Sequence, residues 1–387
     1  MAFVSGARQV GKTTLAKQMS QHFQATLYLN WDDTEHRLLI LGETSALVEA
    51  LGLNQLKTHS PLLILDEIHK YSHWKSFLKG LFDRFEGQLA ILVTGSARMD
   101  IYKKGGDSLM GRYFNYRLHP FSVAELIEPN WNTEKLIQAP RALGADSYSH
   151  LFQFGGFPEP FLKANQRFHH RWRRLRQQQL IREDIRDVAR VHEIAQLEML
   201  VVLLAKQAGQ VTKYSTLAKQ LRVSVDTIRR WLDVLEGFYY CYRIRPWYQN
   251  ITTALRKEPK TYLWDWAGIS DAGDGAKAEN FIASHLLKAV HAWTDIGMGE
   301  FDLYYLRTKD QKEVDFLVTQ DQYPWILVEV KSSMKAALSP YLAWFQAKTG
   351  AKHAFQVTMD ADFVKADCFQ QCDPIKVPAR TFLSQLV

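Results

Sequence analysis

Gly6-Ala7-Arg8-Gln9-Val10-Gly11-Lys12-Thr13, with Thr14 behind it, is the stretch that decides the fold. Two glycines and a closing Lys-Thr pair fit the pattern G-x-x-x-x-G-K-[ST]. In that pattern backbone N–H groups curl around phosphates, and the following helix points its N-terminus at them. The flanks agree. Met1–Ser5 ahead of the loop reads as a buried strand, and Thr13–Phe23 behind it as an amphipathic helix. In such a loop Lys12 reaches the β- and γ-phosphates, and the Thr13 hydroxyl ligates Mg²⁺. The expectation is a site for a nucleoside triphosphate, Mg-ATP, held by Gly6, Ala7, Arg8, Gln9, Val10, Gly11, Lys12, Thr13 and Thr14.

Leu62-Leu-Ile-Leu-Asp66-Glu67 supplies the second half of that site. Four apolar residues make a strand buried on both faces, and two carboxylates close its C-terminal end, where ligands collect in parallel sheets. Asp66 is placed for the Mg²⁺ shell and Glu67 to polarise an attacking water. Leu92–Arg98 reads as a further strand ending in hydroxyls, with Thr94 or Ser96 placed to sense the γ-phosphate. Arg98 and Arg112 are both available to stabilise phosphate charge, from the same subunit or a neighbour, and either also suits an ordinary salt bridge. His69 and His73 have the spacing of a zinc-binding helix face. Without a further ligand they read as part of a surface or interface helix.

The chain has 387 residues, which implies several domains rather than one core. Its hydrophobic fraction of 47% and charged fraction of 23% exclude a disordered chain. Three cysteines, Cys241, Cys368 and Cys372, are too few for a disulfide framework and fit a reducing cytosol, so a cytoplasmic location is expected. No apolar run approaches the ~20 residues of a membrane helix, and no signal peptide is evident. The formal net charge of +7 is compatible with a polyanionic partner. Strand and helix patterns alternate over the first ~125 residues, as in a parallel α/β sheet. Mainly helical patterns follow to about Gln207, broken by Phe154–Pro160. From about Thr261 strands return at Phe301–Arg307, Glu313–Thr319 and Trp325–Val330, with helices at Glu279–His291 and Ala337–Lys348.

Tyr214–Leu221, a turn at Arg222-Val223 and a helix from Ser224 to Leu235 give a helix-turn-helix pattern, with Ser224 as N-cap. Leu217, Leu221, Val223, Ile228, Leu232 and Leu235 pack the pair. Asp226, Thr227, Arg229, Arg230 and Asp233 are left on the outer face, available to DNA; the other reading is a winged-helix module used only as a packing lid, with no DNA contact. Tyr239–Arg245 and Lys260–Trp264 read as strands of a wing. Arg167 to Arg176 carries five arginines and no acid, which suits either a basic stripe or a solvated helix face.

The last segment holds a separated acidic set: Glu279 on a helix, Asp315 in Glu313-Val-Asp-Phe, and Glu329 with Lys331 in Val328-Glu-Val-Lys. Residues two apart on a strand share a face, so Glu329 and Lys331 point the same way. If Asp315 lies on the neighbouring strand, hard oxygen ligands for Mg²⁺ or Mn²⁺ converge. There Glu279, Asp315 and Glu329 would hold a metal, while Glu329 and Lys331 would serve phosphodiester attack.

Taken together, GARQVGKTTLA, LLILDEIHK, TGSAR, SLMGRYFNYRLHPFS, GGFPEP, AENFIASHLL, KEVDFLV and VEVKSS resemble a bacterial and archaeal family. Its members join an AAA-type P-loop ATPase to a C-terminal domain similar to PD-(D/E)xK restriction endonucleases. The resemblance covers nearly the whole chain. It implies an α/β fold: a P-loop NTPase parallel sheet, then a helical and winged-helix segment, then an α/β restriction-endonuclease-like domain. The implied divisions are 1–125 for the ATPase, 126–207 for a helical subdomain, 208–260 for the winged helix-turn-helix and 261–387 for the nuclease-like domain. It implies ATP hydrolysis with ATP and Mg²⁺ at Lys12, Thr13, Asp66 and Glu67, and a nuclease-type site at Glu279, Asp315, Glu329 and Lys331; DNA stays open as a partner on the basic charge and the helix-turn-helix pattern. It also makes a homo-oligomer an expectation, because AAA-type sites borrow arginines from neighbours. Family members carry a segment before the first strand that helps hold the adenine, whereas Met1 lies five residues before Gly6; either the start is truncated or the base is held otherwise. The alternative to a nuclease is an ATP-dependent switch that binds DNA or a protein without cutting.

Overall fold

Leu62–Asp66 (β3) is buried along its whole length, as its apolar sequence requires. It lies inside a parallel sheet with Ala2–Gly6 (β1), Thr26–Asn30 (β2), Ala90–Gly95 (β4) and Phe114–Leu118 (β5), in the order β2-β3-β4-β1-β5. The computed structural model describes residues 1–42, 44–56, 58–95, 109–185, 193–247, 258–269 and 273–387, without the side chains of 183, 184, 273 and 274. The register sets Asn30 beside Asp66 and Asp66 beside Thr94. The carboxyl ends of β1, β2, β3 and β4 therefore form one edge, the place where open parallel sheets bind ligands. Phe3, Leu63, Leu65 and Val93 face the core on one side with Trp74, Leu78 and Leu81 from the helix Trp74–Arg84. Val4, Ile64 and Leu92 face the other side with Ala16 from the helix Lys12–Met19. This is the P-loop NTPase fold.

The chain separates into two compact units, Met1–His119 and Pro120–Val387. The segments expected as 126–207, 208–260 and 261–387 fall within the second of these units. That unit is built on a mixed sheet of seven strands. In chain order they are Cys241–Pro246 (β6), Lys260–Leu263 (β7), Phe301–Arg307 (β8), Glu313–Gln320 (β9), Tyr323–Lys331 (β10), His353–Thr358 (β11) and Ile375–Pro378 (β12). The sheet order is β12-β11-β10-β9-β8-β6-β7. The helix-turn-helix forms as Tyr214–Leu221 and Val225–Gly237, and the Ser224 hydroxyl accepts the Thr227 N–H at 3.0 Å. Its expected wing is not a separate hairpin. β6 pairs antiparallel with β7 and parallel with β8, so both strands extend the C-terminal sheet.

The 23-residue helix Gly273–Asp295 packs on this sheet through a stripe that includes Ile282, Leu286, Ala289 and Trp293. The two ends of the unit are joined. Ser122 Oγ donates to the Val387 carbonyl at 2.9 Å, and the Gln138 N–H donates to the Gln385 carbonyl at 2.9 Å.

Candidate functional site

Gly6 ends β1 where only a bare backbone fits, because a Cβ there would lie 2.5 Å from the Leu118 carbonyl oxygen. The chain then turns through Gln9 (φ 64°) and Gly11 (φ 106°) before the helix Lys12–Met19 begins. Left-handed residues interleaved with ordinary ones turn successive N–H groups toward one concavity, the geometry that receives an anion. Lys12 is buried at 6% exposure, and its Nζ donates to the carbonyls of Gly6 at 3.1 Å and Ala7 at 2.7 Å. Both carboxylate oxygens of the buried Asp66 accept hydroxyls. Thr13 Oγ1 and Tyr28 Oη each donate to Oδ2 at 2.8 Å, and Thr94 Oγ1 donates to Oδ1. Burial, reinforced by Asp66 and Glu67, holds the Tyr28 phenol well above its ordinary range, so it stays a donor.

Glu67 leaves the strand in the left-handed region (φ 57°), and its N–H donates to the Thr94 carbonyl at 3.0 Å. Its Oε2 lies 3.5 Å from His69 Nε2 and 3.7 Å from Lys70 Nζ, while Lys70 also bridges to Asp32 at 2.6 Å. His69 does not sit on a surface helix with His73. It is buried in the short 3-10 turn Ile68–Lys70, and the next helix starts only at Trp74. Burial lowers its pKa, only partly offset by Glu67, so the ring is neutral. Arg112 makes a two-pronged bridge to Asp83, at 2.8 and 3.2 Å. Ser96 and Arg98 lie outside the described residues.

In the second unit β9 and β10 are antiparallel neighbours, which brings Asp315 beside Glu329: the Val330 N–H donates to Asp315 Oδ2 at 2.8 Å. Lys331 Nζ donates to Glu329 Oε1 at 2.7 Å, while Glu329 Oε2 is buried without a hydrogen-bond partner. Burial, then the Asp315 charge, pushes Glu329 up to about 7. Asp315 is pushed up in the same way by burial and by Glu279. Glu279 is occupied otherwise. Its Oε1 accepts from Tyr262 Oη at 2.7 Å and from Lys260 Nζ at 3.0 Å, and Lys260 Nζ also lies 2.6 Å from Glu313 and 3.8 Å from Asp315. Burial alone would lower the Lys260 pKa; Glu279, Asp315 and Glu313 reverse that and keep it charged.

The two sites suit a metal unequally. Around Asp66 the donors are all hard oxygens, and Thr13 already touches the carboxylate, which suits Mg²⁺. In the second cluster Asp315 and the partnerless Glu329 oxygen suit a cation, but Glu279 is claimed by Lys260. Among the described residues no three His, Cys, Asp or Glu side chains form a ligand group.

Residues 1–127 match the family model of an AAA domain. The AAA domain coincides with the P-loop sheet, and AAA-type ATPases bind ATP with Mg²⁺. Residues 145–272 and 274–374 match two domains of unknown function, DUF8612 and DUF4143. The chain is 25% identical to the uncharacterized protein Rv2008c of Mycobacterium tuberculosis, over 88% of this chain and 72% of that one. It is 24% identical to the uncharacterized protein MJ1637 of Methanocaldococcus jannaschii, over 73% and 66%. Among solved structures, the Orc1 protein of Aeropyrum pernix in complex with DNA superposes at a TM-score of 0.34 with 13% identity, covering 73% of this chain and 87% of that one. PCH-2 of C. elegans superposes at 0.24 with 14% identity, covering 61% and 60%. Among the described residues no helix is long and apolar enough to cross a membrane.

Two contributors escaped the sequence reading. Tyr28 reaches the AAA domain's Asp66 from the adjacent strand, and only the pairing of Tyr28 with Ile64 brings it there. Lys260 was read as the start of a wing strand; the signal was a lysine followed by Thr261-Tyr262-Leu263, an otherwise apolar strand of a kind that leaves a charge nowhere to go but a buried partner.

Proposed function

We propose that this protein hydrolyses Mg-ATP at Gly6–Thr13 and that nucleotide state governs a DNA-acting second unit. The observation that carries the first half is the interlock of Thr13 with Asp66 at 2.8 Å beside the buried Lys12. Thr13 and Asp66 would hold the Mg²⁺, which neutralises phosphate charge when bound. Lys12 is placed to exchange its loop carbonyls for phosphate oxygens, the loop N–H groups to orient the chain of phosphates, and Thr94 to keep Asp66 aimed. Glu67, at the end of the same strand, orients the attacking water and takes its proton. The test is turnover beside nucleotide binding. Glu67→Gln should retain ATP affinity and lose ~10²–10⁴-fold in hydrolysis. Lys12→Ala should weaken binding roughly 10–100-fold, as the loss of a charge-assisted contact does. Equal turnover in wild type and Glu67→Gln would remove Glu67 from the mechanism.

DNA is favoured as the partner by the net charge of +7 and by one helix, Gln166–Gln179, whose Arg167, His170, Arg171 and Arg174 are all exposed at the spacing of a single face. Two outcomes at the DNA are separable. The adjacency of Asp315, Glu329 and Lys331 favours metal-dependent cleavage. The capture of Glu279 by Lys260 favours binding without cutting. Supercoiled plasmid incubated with Mg²⁺ or Mn²⁺, with and without ATP, decides between them: nicking lost in Lys331→Ala assigns a nuclease, and intact plasmid under every condition assigns a switch.

A further inference from the structure

The helix Gln166–Gln179 has a second face. His169, Trp172 and Arg176 point inward, opposite the exposed arginines, and Asp265 follows β7 against them. His169 Nε2, Trp172 Nε1, Arg176 Nε and Asp265 Oδ1 are all buried polar atoms without a hydrogen-bond partner. More than ~90% of such atoms are normally satisfied, so four in one neighbourhood mark something the protein backbone does not supply. Asp265 is only 7% exposed, and its charge acts on both His169 and Arg176. A carboxylate taken from water without a donor costs several kcal/mol or more.

Two of the four, Arg176 and Asp265, border a half-open cavity of about 170 Å³, lined also by Arg173, Lys206, Tyr240 and Leu263. The geometry of its cations is fixed. The Arg176 guanidinium stacks 4.1 Å from the centre of the Phe157 ring, which leaves its N–H edges for a planar anion. Arg173 Nη1 donates to the Ala267 carbonyl at 3.3 Å, and Lys206 stands exposed at the rim. Tyr240 Oη is spent on the Val201 carbonyl at 3.2 Å, so it closes a wall. Three cations against one carboxylate call for an anion. The carboxylate in turn calls for a hydrogen-bond donor on the same guest. A cavity of ~150 Å³ takes a benzene-sized molecule, which limits the guest to a few carbon atoms and their polar groups.

We propose that this cavity binds a compact organic anion that also carries a hydroxyl or amine, with Arg173, Arg176 and Lys206 taking the anionic group and Asp265 the donor. A hydroxy-carboxylate and a phosphate ester share that chemistry. Titration calorimetry on the full chain separates them with three probes: malate, O-phosphoserine, and succinate, which lacks the donor. The Lys12→Ala variant is used as background, so that the P-loop does not take the phosphate. Malate or O-phosphoserine should bind, succinate at least tenfold more weakly, and whichever of the first two is tighter identifies the anion. Lys206→Gln, at the exposed rim where folding is not at stake, should weaken binding several-fold. Asp265→Asn should erase the preference over succinate, and the distant exposed Lys352→Gln should change nothing. Absence of heat with all three probes, or unchanged affinity in Lys206→Gln, would overturn the proposal and leave the cavity to ordered water.

Discussion

Lys260 is 3% exposed and sits within ion-pair distance of Glu279, Glu313 and Asp315. Removing one partner of a buried charge set leaves the others uncompensated, which costs ~3–5 kcal/mol. Lys260→Met should therefore lower the stability of the 120–387 unit by about that amount at pH 7 in denaturant titration, with part of the loss recovered near pH 5 as Asp315, pushed up to about 7 by burial, protonates. A loss under ~1 kcal/mol would mean that the cluster is solvated and weakly coupled. The comparison with the P-loop shows what a sequence discloses at this scale. Gly6, Lys12 and Thr13 are chain neighbours, so their spacing alone prescribes the loop. Glu329 and Lys331 are two apart on one strand, and they do share a face. Tyr28 and Lys260 reach their sites through pairing with distant strands, and no local pattern announces that.

The helix Gln166–Gln179 illustrates how one element can hold two opposed readings. A run of five arginines without an acid reads equally as a stripe or as solvated surface, and the structure divides it: Arg167, Arg171 and Arg174 outward, Arg173 and Arg176 toward the cavity. If the outward face meets DNA phosphates, each contact contributes about −0.9 to the slope of log K against log salt concentration. Replacing Arg167, Arg171 and Arg174 by Gln should then lower the magnitude of that slope by roughly 2.7, measured by fluorescence anisotropy on a duplex. An unchanged slope would assign the face to solvent. Strands followed the same division between local and distant causes. β1, β3 and β8 were legible because apolar runs bounded by turns carried them. β5 was not, because Phe-Asn-Tyr-Arg-Leu lies at the sheet edge, largely exposed, and shows no buried run. β11 was missed for the opposite reason: His353, Gln356 and Thr358 are polar yet fully enclosed, each satisfied by a partner the sequence cannot name.

For the molecule as a whole, pH bears on stability through His285. Its Nδ1–H donates to the Phe281 carbonyl at 2.8 Å, and Nε2 accepts the Val123 N–H at 3.1 Å, so the buried ring is neutral. Burial lowers its pKa to about 3. The unfolded chain takes up this proton near pH 6.5, and the folded chain does not until about pH 3. Stability is therefore complete above about 6.5 and falls as pH drops below it, by about 2 kcal/mol at pH 5. Denaturant titrations at pH 7.5 and pH 5 should show that extra loss in wild type and not in His285→Gln; equal losses would place the titrating group elsewhere. The seam between Ser122 and Val387 bears on a different timescale, that of synthesis. Residues 1–119 contain every strand of their own sheet and can close as soon as they emerge. The second unit spans 120 to 387, 268 residues, and its first helix meets its last only after residue 387 is made. At ~5–20 residues per second that wait is roughly a quarter of a minute to a minute. The stripe of Phe281, Leu286 and Trp293 emerges late in that interval: the 94 residues that follow Trp293 up to Val387 take about 5–20 s at the same rate, during which it is incompletely covered on a nascent chain, and chaperone dependence should concentrate there.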